Sequence, residues 1–430
     1  MIDTSPQRQA LADRLEAAGT IRTPAWRKAV EAVPRELFLN PGVFLPAGNG
    51  LWQPVTLAAT DPAEWTEIAY SDESLVTQLD NHLTADQAPG PVPGIPTSSS
   101  TDPRLVLEMI EELEAGDGDL VLEIGTGTGY STALMCHRLG EDNVTTIEVD
   151  PGVAARADAA LETAGFSTWT VTGDGLLGLP RRAPYDRVIA TCGVRRIPYT
   201  WVRQTRPGGI ILATLGSLTT GTGLAKVTVN SDGTAEGRFV FHASFMQARS
   251  QAVPPIAGDL SSRVAYADSV RRAVVAPTDL DQPMPAFLCQ LAAPAAQILR
   301  VRAGDGTPRV YLFDPGRESF AELVLDDGGW TVRQGGPVRL WDDIERALLA
   351  WDEIGRPGIG EVGLRVTERS HTYWLPRSPV LRWEHPVVGQ RPSCGSQSRS
   401  GLSGGSSSQR WGGPRRGEGS VMGRWARSQA

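Results

Sequence analysis

Apolar residues between positions 120 and 215 form short continuous runs, separated by segments in which apolar residues recur at helical spacing. The runs predict five strands, at Leu120–Ile124, Val144–Val149, Thr168–Val171, Arg187–Thr191 and Gly209–Leu215. The spacing between the first runs predicts helices over Tyr130–Leu139 and Pro151–Ala164. Strands that alternate with helices predict an α/β fold, with a parallel sheet covered by helices on both faces.

The pattern before this region is different. Prolines near the starts of two amphipathic segments predict helices from Ser5 and from Thr23, and an irregular stretch follows as far as about Trp65. Glu67–Asp80 is strand-like, whereas residues 84–101 are rich in Pro, Gly, Ser and Thr and predict a loop. Asp102-Pro103 then predicts the start of a helix that ends near Leu113.

After about residue 225, short alternating segments separated by Gly and Asp turns predict a smaller α+β domain. Its clearest helix lies within residues 338–355. The final segment is rich in Gly, Ser and Arg and predicts a disordered end, with a basic tether as the alternative. We expect a helical, substrate-side segment over residues 1–100 and a cofactor-binding domain over residues 101–225. An accessory domain over residues 226–385 and a tail over residues 386–430 are expected to follow.

Composition narrows the function. The chain has 430 residues, a formal net charge of −8 and a pI of about 5.3, which argues against general nucleic-acid binding. No apolar run approaches the roughly 18 residues of a membrane span, and the four cysteines are too scattered for a disulfide framework or a zinc site. We expect a cytoplasmic enzyme without a metal.

The most specific motif is the glycine turn that follows the first predicted strand. Gly125, Gly127 and Gly129 alternate directly before the helix, which allows backbone to approach a nucleotide-like ligand closely. Dinucleotide-binding folds use G-x-G-x-x-G, but here Tyr130 occupies the place of the last glycine. The spacing, after an acidic Glu123, favours S-adenosylmethionine (SAM) as the cofactor, and Thr126 within the turn is expected to contact it.

Acidic residues follow the next two strands. Glu148 ends the second strand and is expected to accept hydrogen bonds from the ribose hydroxyls. Asp150 is the competing candidate, although it also suits the N-cap of the following helix. Asp174-Gly175 follows the third strand, where the carboxylate suits the adenine amino group. The alternative for this Asp-Gly pair is an ordinary turn.

Several segments in order resemble the protein-L-isoaspartate O-methyltransferase family over roughly residues 8–217. The segments are VPRELF, AYSDESL, the Ser100-Thr101-Asp102-Pro103 stretch before an apolar helix, VLEIGTGTGY, TTIEVD, VTGDG, APYDRVI and TRPGG. The resemblance implies a Rossmann-like sheet, SAM as methyl donor, and a peptide or protein substrate that carries an aspartyl or isoaspartyl carboxylate. It also implies that hydroxyls within Ser98–Thr101, above all Ser100 and Thr101, hold that carboxylate.

This chain departs from the usual repair enzymes of the family. The glycine-rich stretch before the substrate segment is missing, Thr101 stands where serine is usual, and a C-terminal domain has been added. These features are similar to a subfamily associated with ATP-grasp and lanthipeptide peptide-maturation systems. The resemblance therefore implies methylation of an aspartate in a modified peptide, after which the ester collapses to an aspartimide. General repair of isoaspartyl proteins is the alternative.

The chemistry needs few catalytic side chains. A carboxylate with a pKa near 4 is already ionised at neutral pH and needs no general base, so alignment and exclusion of water provide most of the catalysis. The histidines are accordingly expected to be structural, and Cys192 is expected to pack rather than act as a nucleophile. Two other classes remain open: a nicotinamide oxidoreductase, which Tyr130 and the GDG segment disfavour, and a non-catalytic SAM- or peptide-binding module.

Overall fold

The computed structural model describes residues 3–216, 221–252, 266–304 and 306–387, and the predicted tail lies almost entirely outside them. Its centre is a sheet of five parallel strands, and each of them overlaps one of the five strands predicted from the sequence. In chain order they are β6 (Val121–Ile124), β7 (Val144–Glu148), β8 (Trp169–Thr172), β9 (Tyr185–Val194) and β10 (Thr205–Gly216). They lie side by side in the order β10-β9-β6-β7-β8. The strand order reverses between β6 and β9, and such a switch point is where open α/β sheets bind ligands.

Alternate residues of these strands enter two different cores. Leu122 belongs to the cluster on one face, whereas its neighbour Val121 belongs to the cluster on the other, and Ile211 and Leu212 divide in the same way. Since both faces are buried, the strands have to be apolar throughout, which explains the continuous runs in the sequence. Helices flank the strands at Pro103–Leu113, Tyr130–Leu139, Pro151–Thr163 and Tyr199–Gln204.

The sheet does not end at residue 225, where a domain boundary was expected. Five antiparallel strands extend it beyond β10: β11 (Thr222–Val229), β12 (Ala235–Phe239), β18 (Gly363–Val366), β19 (Ser370–Trp374) and β20 (Arg382–Pro386). Residue 225 lies within β11, which pairs with β10 over seven residue pairs. The accessory region therefore shares its main hydrogen-bonded sheet with the cofactor-binding region.

A separate antiparallel sheet occupies the middle of the accessory region, in the order β13-β17-β16-β15-β14. Its strands are Ser269–Arg272, Gln297–Arg302, Pro308–Asp314, Ser319–Asp326 and Gly329–Gly335 for β13 to β17. Helix Leu340–Glu353 packs on β16 and β17, and helix Pro283–Ala292 packs against that helix and against β11 of the main sheet. Helix Leu340–Glu353 confirms the helix expected within residues 338–355.

The N-terminal segment is only partly helical. Its helices are Ser5–Ala17, Pro24–Ala32 and Pro62–Ala69, but a five-stranded sheet in the order β4-β2-β1-β3-β5 fills the rest. The strands are β1 (Val43–Gly48), β2 (Leu51–Val55), β3 (Leu75–Leu79), β4 (Val92–Pro93) and β5 (Pro96–Ser100). The irregular stretch thus contains the β1–β2 hairpin, and the loop expected over residues 84–101 contains β4 and β5. In these strands, pairing with β2 and β3 overrides the sequence signals of Pro and Ser.

Candidate active site

The glycine turn joins β6 to helix Tyr130–Leu139 at the carboxyl edge of the parallel sheet. Gly125, Gly127 and Gly129 have φ angles of +96°, +56° and +90°, which other residues rarely adopt. Gly125 and Gly127 line a cavity, whereas Gly129 begins the helix and faces Ala157, 3.5 Å from where a Cβ would lie. The first two glycines therefore form the cradle, and the third allows close helix packing.

Glu148 lies beside this turn. Its side chain accepts hydrogen bonds from the backbone N–H of Gly127 at 3.0 Å and of Asp150 at 3.0 Å. The residue is only 7% exposed, yet it lines the same cavity. An anionic acceptor is thus held at the end of β7, as expected for binding of ribose hydroxyls.

Asp150, the competing candidate, has other partners. Its Oδ1 accepts from the backbone N–H groups of Gly152 and Val153 at 2.7 and 3.0 Å, which is an N-cap of helix Pro151–Thr163. It does not line the cavity. These contacts favour Glu148 as the ribose acceptor.

Asp174 and Gly175 also line the cavity. Asp174 is exposed and accepts from the backbone N–H of Leu176 at 3.0 Å, so it caps a short 3-10 helix while facing the cavity. Gly175 packs on Ile124, and a Cβ there would lie 2.5 Å from Ile124 Cγ2. The turn interpretation and the functional one are therefore compatible.

Of the two remaining expected cofactor contacts, Thr126 lines the cavity and Glu123 does not. Thr126 lines the cavity and hydrogen-bonds to Thr146 at 2.6 Å. Glu123 is fully buried beneath the turn, where it accepts hydrogen bonds from Ser131, Thr132 and Thr146 at 2.5, 2.5 and 2.8 Å. Burial raises the pKa of Glu123 in spite of these bonds. The expected cofactor contact of Glu123 is thus corrected to a tether between β6, β7 and the helix, because its carboxylate is outside the cavity.

The hydroxyl run forms a further wall of the cavity, close to the glycine turn. Residues 97–101 all line the cavity, and a Cβ on Gly127 would lie 3.5 Å from the carbonyl oxygen of Ser99. The Ser100 side chain is 2% exposed, and its Oγ has no hydrogen-bond partner among the described residues. A buried hydroxyl without a partner costs free energy unless a ligand satisfies it.

Arg35 holds this wall in place from behind. It is fully buried and donates to backbone carbonyls of five residues at 2.8–3.5 Å, Ala69, Ser71, Glu73, Ser100 and Thr101. Burial lowers the pKa of the guanidinium. The VPRELF segment therefore acts by fixing the backbone of the residues expected to hold the substrate.

One segment that lines the cavity was not predicted from the sequence. Residues 245–250 line it from the side of β9, where the carbonyl of Met246 accepts from the N–H of Gly193 and the N–H of Ala248 donates to the carbonyl of Gly193, each at 2.8 Å. We call residues 245–250 the strap. Arg249 of the strap is the only basic residue among the described cavity-lining residues.

The cavity thus combines glycine backbone, two carboxylates and a row of hydroxyls. Cys192 also lines it, but burial raises the pKa of its thiol to about 12, so it stays protonated and is no nucleophile at neutral pH. Among described residues there is no cluster of His, Cys, Asp and Glu suited to a metal. The glycine cradle and the acceptor at the end of β7 fit a nucleoside cofactor such as SAM.

Comparison with known proteins places this site in a family. The family model "Protein-L-isoaspartate(D-aspartate) O-methyltransferase" matches residues 62–252, a range that includes the strap. A protein-L-isoaspartate O-methyltransferase of Ignicoccus hospitalis is 33% identical over 208 residues, which are 48% of this chain and 80% of the relative. One from Anaeromyxobacter dehalogenans is 38% identical over 148 residues, 34% of this chain and 70% of the relative.

A solved structure of a protein-L-isoaspartate O-methyltransferase superposes with a TM-score of 0.49 and 22% identity, over 86% of this chain and 99% of that one. None of the helices within the described residues has the length and apolar character needed to span a bilayer. From the sequence relatives, the chain belongs to the protein-L-isoaspartate O-methyltransferase family and is a SAM-dependent methyltransferase.

Proposed function

We propose that this enzyme methylates the carboxylate of an aspartyl or isoaspartyl residue in a peptide, and that its own substrate is a dedicated modified peptide. The observation that carries the first part is the buried Ser100 hydroxyl, which has no hydrogen-bond partner among the described residues and belongs to a residue that lines the same cavity as the glycine turn. A carboxylate oxygen is a strong acceptor for such a hydroxyl.

The residues would divide the work as follows. Gly125, Gly127 and Glu148 would bind the cofactor, and Asp174 would accept from its adenine amino group. SAM, when bound, supplies an electrophilic methyl on a sulfonium. Ser100 and Thr101 would orient the acceptor carboxylate, which is ionised at neutral pH without help from a base. The strap and the buried wall would exclude water.

The dedicated peptide is supported by the amount of structure that surrounds this site. The β1–β2 hairpin and β4 enlarge the sheet whose edge strand β5 lines the cavity. The accessory region adds a further sheet and five strands of the main one. An ester formed on an aspartyl side chain would then collapse to an aspartimide, as the resemblance to the peptide-maturation subfamily implies.

Three tryptophans of the accessory region are part of its core. Trp341 is fully buried and donates to Glu345 at 2.9 Å, and Trp330 and Trp351 pack against the same core. We therefore assign peptide selection to none of these three and keep it with the accessory region as a whole.

The test compares two substrates with the full-length enzyme. Turnover is measured on a generic isoaspartyl hexapeptide and on a cyclised precursor peptide from a neighbouring gene. The proposal expects a clear preference for the precursor in kcat/KM. Equal efficiency on both would make this an ordinary repair enzyme, the activity for which its relatives are named.

A further inference from the structure

Arg249 contacts residues of two other elements, one beyond the end of β7 and one in β3 of the N-terminal sheet. Its Nη1 donates to Asp150 Oδ2 at 2.7 Å, and its Nη2 donates to Gln78 Oε1 at 3.0 Å. Gln78 Nε2 in turn donates to Asp150 Oδ2 at 3.2 Å. One guanidinium thus joins the strap to the residue beyond the end of β7 and to strand β3 of the N-terminal sheet.

The network reaches the substrate wall through one more bond. Thr97, at the start of the hydroxyl run, donates to Gln78 Oε1 at 2.9 Å. Gln78 is 2% exposed and Asp150 is 7% exposed, whereas the Arg249 side chain keeps 30% of its surface accessible. Charge-assisted bonds in such a shielded place are stronger than those between surface ions.

The charge state of the pair is consistent with a formed ion pair. Burial acts to raise the pKa of Asp150, but the bonds from Val153, Arg249 and Gln78 outweigh it and hold the pKa below the usual range. Asp150 is therefore ionised at neutral pH and available to Arg249.

The place of the strap gives this link a consequence. The strap and the glycine turn line the same cavity, so a cofactor bound in the glycine cradle would lie against the strap. The strap meets the sheet edge through the paired bonds at Gly193, and it is also held by Arg249.

We propose that Arg249 is a positioning residue that fastens the strap over the cofactor and, through Gln78, sets the hydroxyl wall. This rests on the proposed function of the cavity. Breaking the Arg249 contacts is then a step in both entry and exit of the cofactor, and the substrate wall loses one of its supports.

The test uses S-adenosylhomocysteine as the probe, displaced from the full-length enzyme by excess SAM in a stopped-flow experiment. Arg249→Met is expected to raise the dissociation rate at least about tenfold, because it removes both charge-assisted bonds of a partly exposed guanidinium. The equilibrium Kd changes less because entry is faster too. The KM for an isoaspartyl peptide is expected to rise several-fold with kcat nearly unchanged. A merely structural role would not separate these constants.

Two further variants keep the result clear if Arg249→Met folds poorly. Asp150→Asn retains the N-cap oxygen but removes the acceptor for Arg249, and is expected to reproduce the faster release. Arg249→Lys, which reaches one acceptor instead of two, is expected to be intermediate. Arg206→Met, which loses an ion pair with Asp186 at the other end of the sheet, is the matched control.

The outcomes are distinct. If Arg249→Met and Asp150→Asn both release the probe at the wild-type rate, the assignment of Arg249 is wrong, although the proposed function stands. If the wild-type enzyme fails to bind the probe at all, the cavity itself has been misassigned and the proposed function fails with it.

Discussion

The backbone N–H of Gly127 donates a hydrogen bond of 3.0 Å to the carboxylate of Glu148. One residue comes from the turn after β6 and the other from the end of β7, 21 positions later. The contact joins the backbone cradle to the expected ribose acceptor at the switch point of the sheet. It leaves the Glu148 side chain oriented and largely desolvated before any ligand arrives.

The first prediction concerns the cradle. Gly127→Val is expected to lower SAM affinity by at least about 100-fold, because a branched side chain is strained at a positive φ and would project into the cavity. Isothermal titration calorimetry measures the SAM affinity of the variant and of the wild type. Gly358→Val is the control, since a Cβ at Gly358 meets nothing within 4 Å. Wild-type affinity in Gly127→Val would rule the cradle out.

The second prediction concerns the acceptor. Glu148→Ala is expected to weaken SAM binding by roughly 1–3 kcal/mol, because buried hydroxyls of the ligand lose their partner. Asp158→Ala, which removes an exposed carboxylate from helix Pro151–Thr163, is expected to bind normally. Equal affinities in the two variants, again by calorimetry, would remove Glu148 from the site.

The third prediction separates substrate from cofactor. Ser100→Ala and Thr101→Ala are expected to raise the peptide KM or lower kcat, while the SAM Kd stays within about twofold. Thermal stability of Ser100→Ala should not fall, because the hydroxyl has no partner to lose. Ser231→Ala, at an exposed turn, is the control. Full activity of both variants on every peptide would make the wall a linker only.

The fourth prediction concerns pH. The pKa of Glu123 is raised in the folded protein by burial, so its contribution to stability is present below the pKa of the unfolded chain and is lost as pH rises through the folded pKa. Glu123→Gln carries no such titration. The Tm of this variant minus that of the wild type should therefore increase as the pH rises above the ordinary pKa of a glutamate, about 4.3.

The comparison is made by scanning calorimetry at several pH values, with Asp158→Asn as an exposed reference. A Tm difference for Glu123→Gln that stays flat or shrinks with rising pH would show that the buried carboxylate is ionised without cost.

The parallel sheet and the cofactor residues could be predicted because their signals are local. Continuous apolar runs reflect burial on both faces, and a glycine turn with an acidic residue after the next strand has a fixed spacing. The β1–β2 hairpin could not be predicted in this way. Pro46, Trp52 and Pro54 interrupt the alternation of apolar and polar residues that would indicate its two strands, although Val43 and Phe44 are buried.

The strap was missed for a different reason. Arg249 meets Asp150 and Gln78, which precede it by 99 and 171 residues, and no local pattern encodes such a contact. A signal existed in the family match, which continues past the last recognised segment to residue 252. Pairing between strands also makes residue 225 a poor point for truncation. A cut there would remove most of β11, which pairs with β10 in the main sheet.

The most direct test of the central claim is transfer of label from tritiated SAM to peptide. Purified full-length protein is incubated with an isoaspartyl peptide or the cyclised precursor, and the product is treated with mild base. A carboxyl methyl ester is expected, so peptide-bound tritium should be released as volatile methanol. SAM binding without label on any peptide, or label that resists base, would contradict carboxyl methylation.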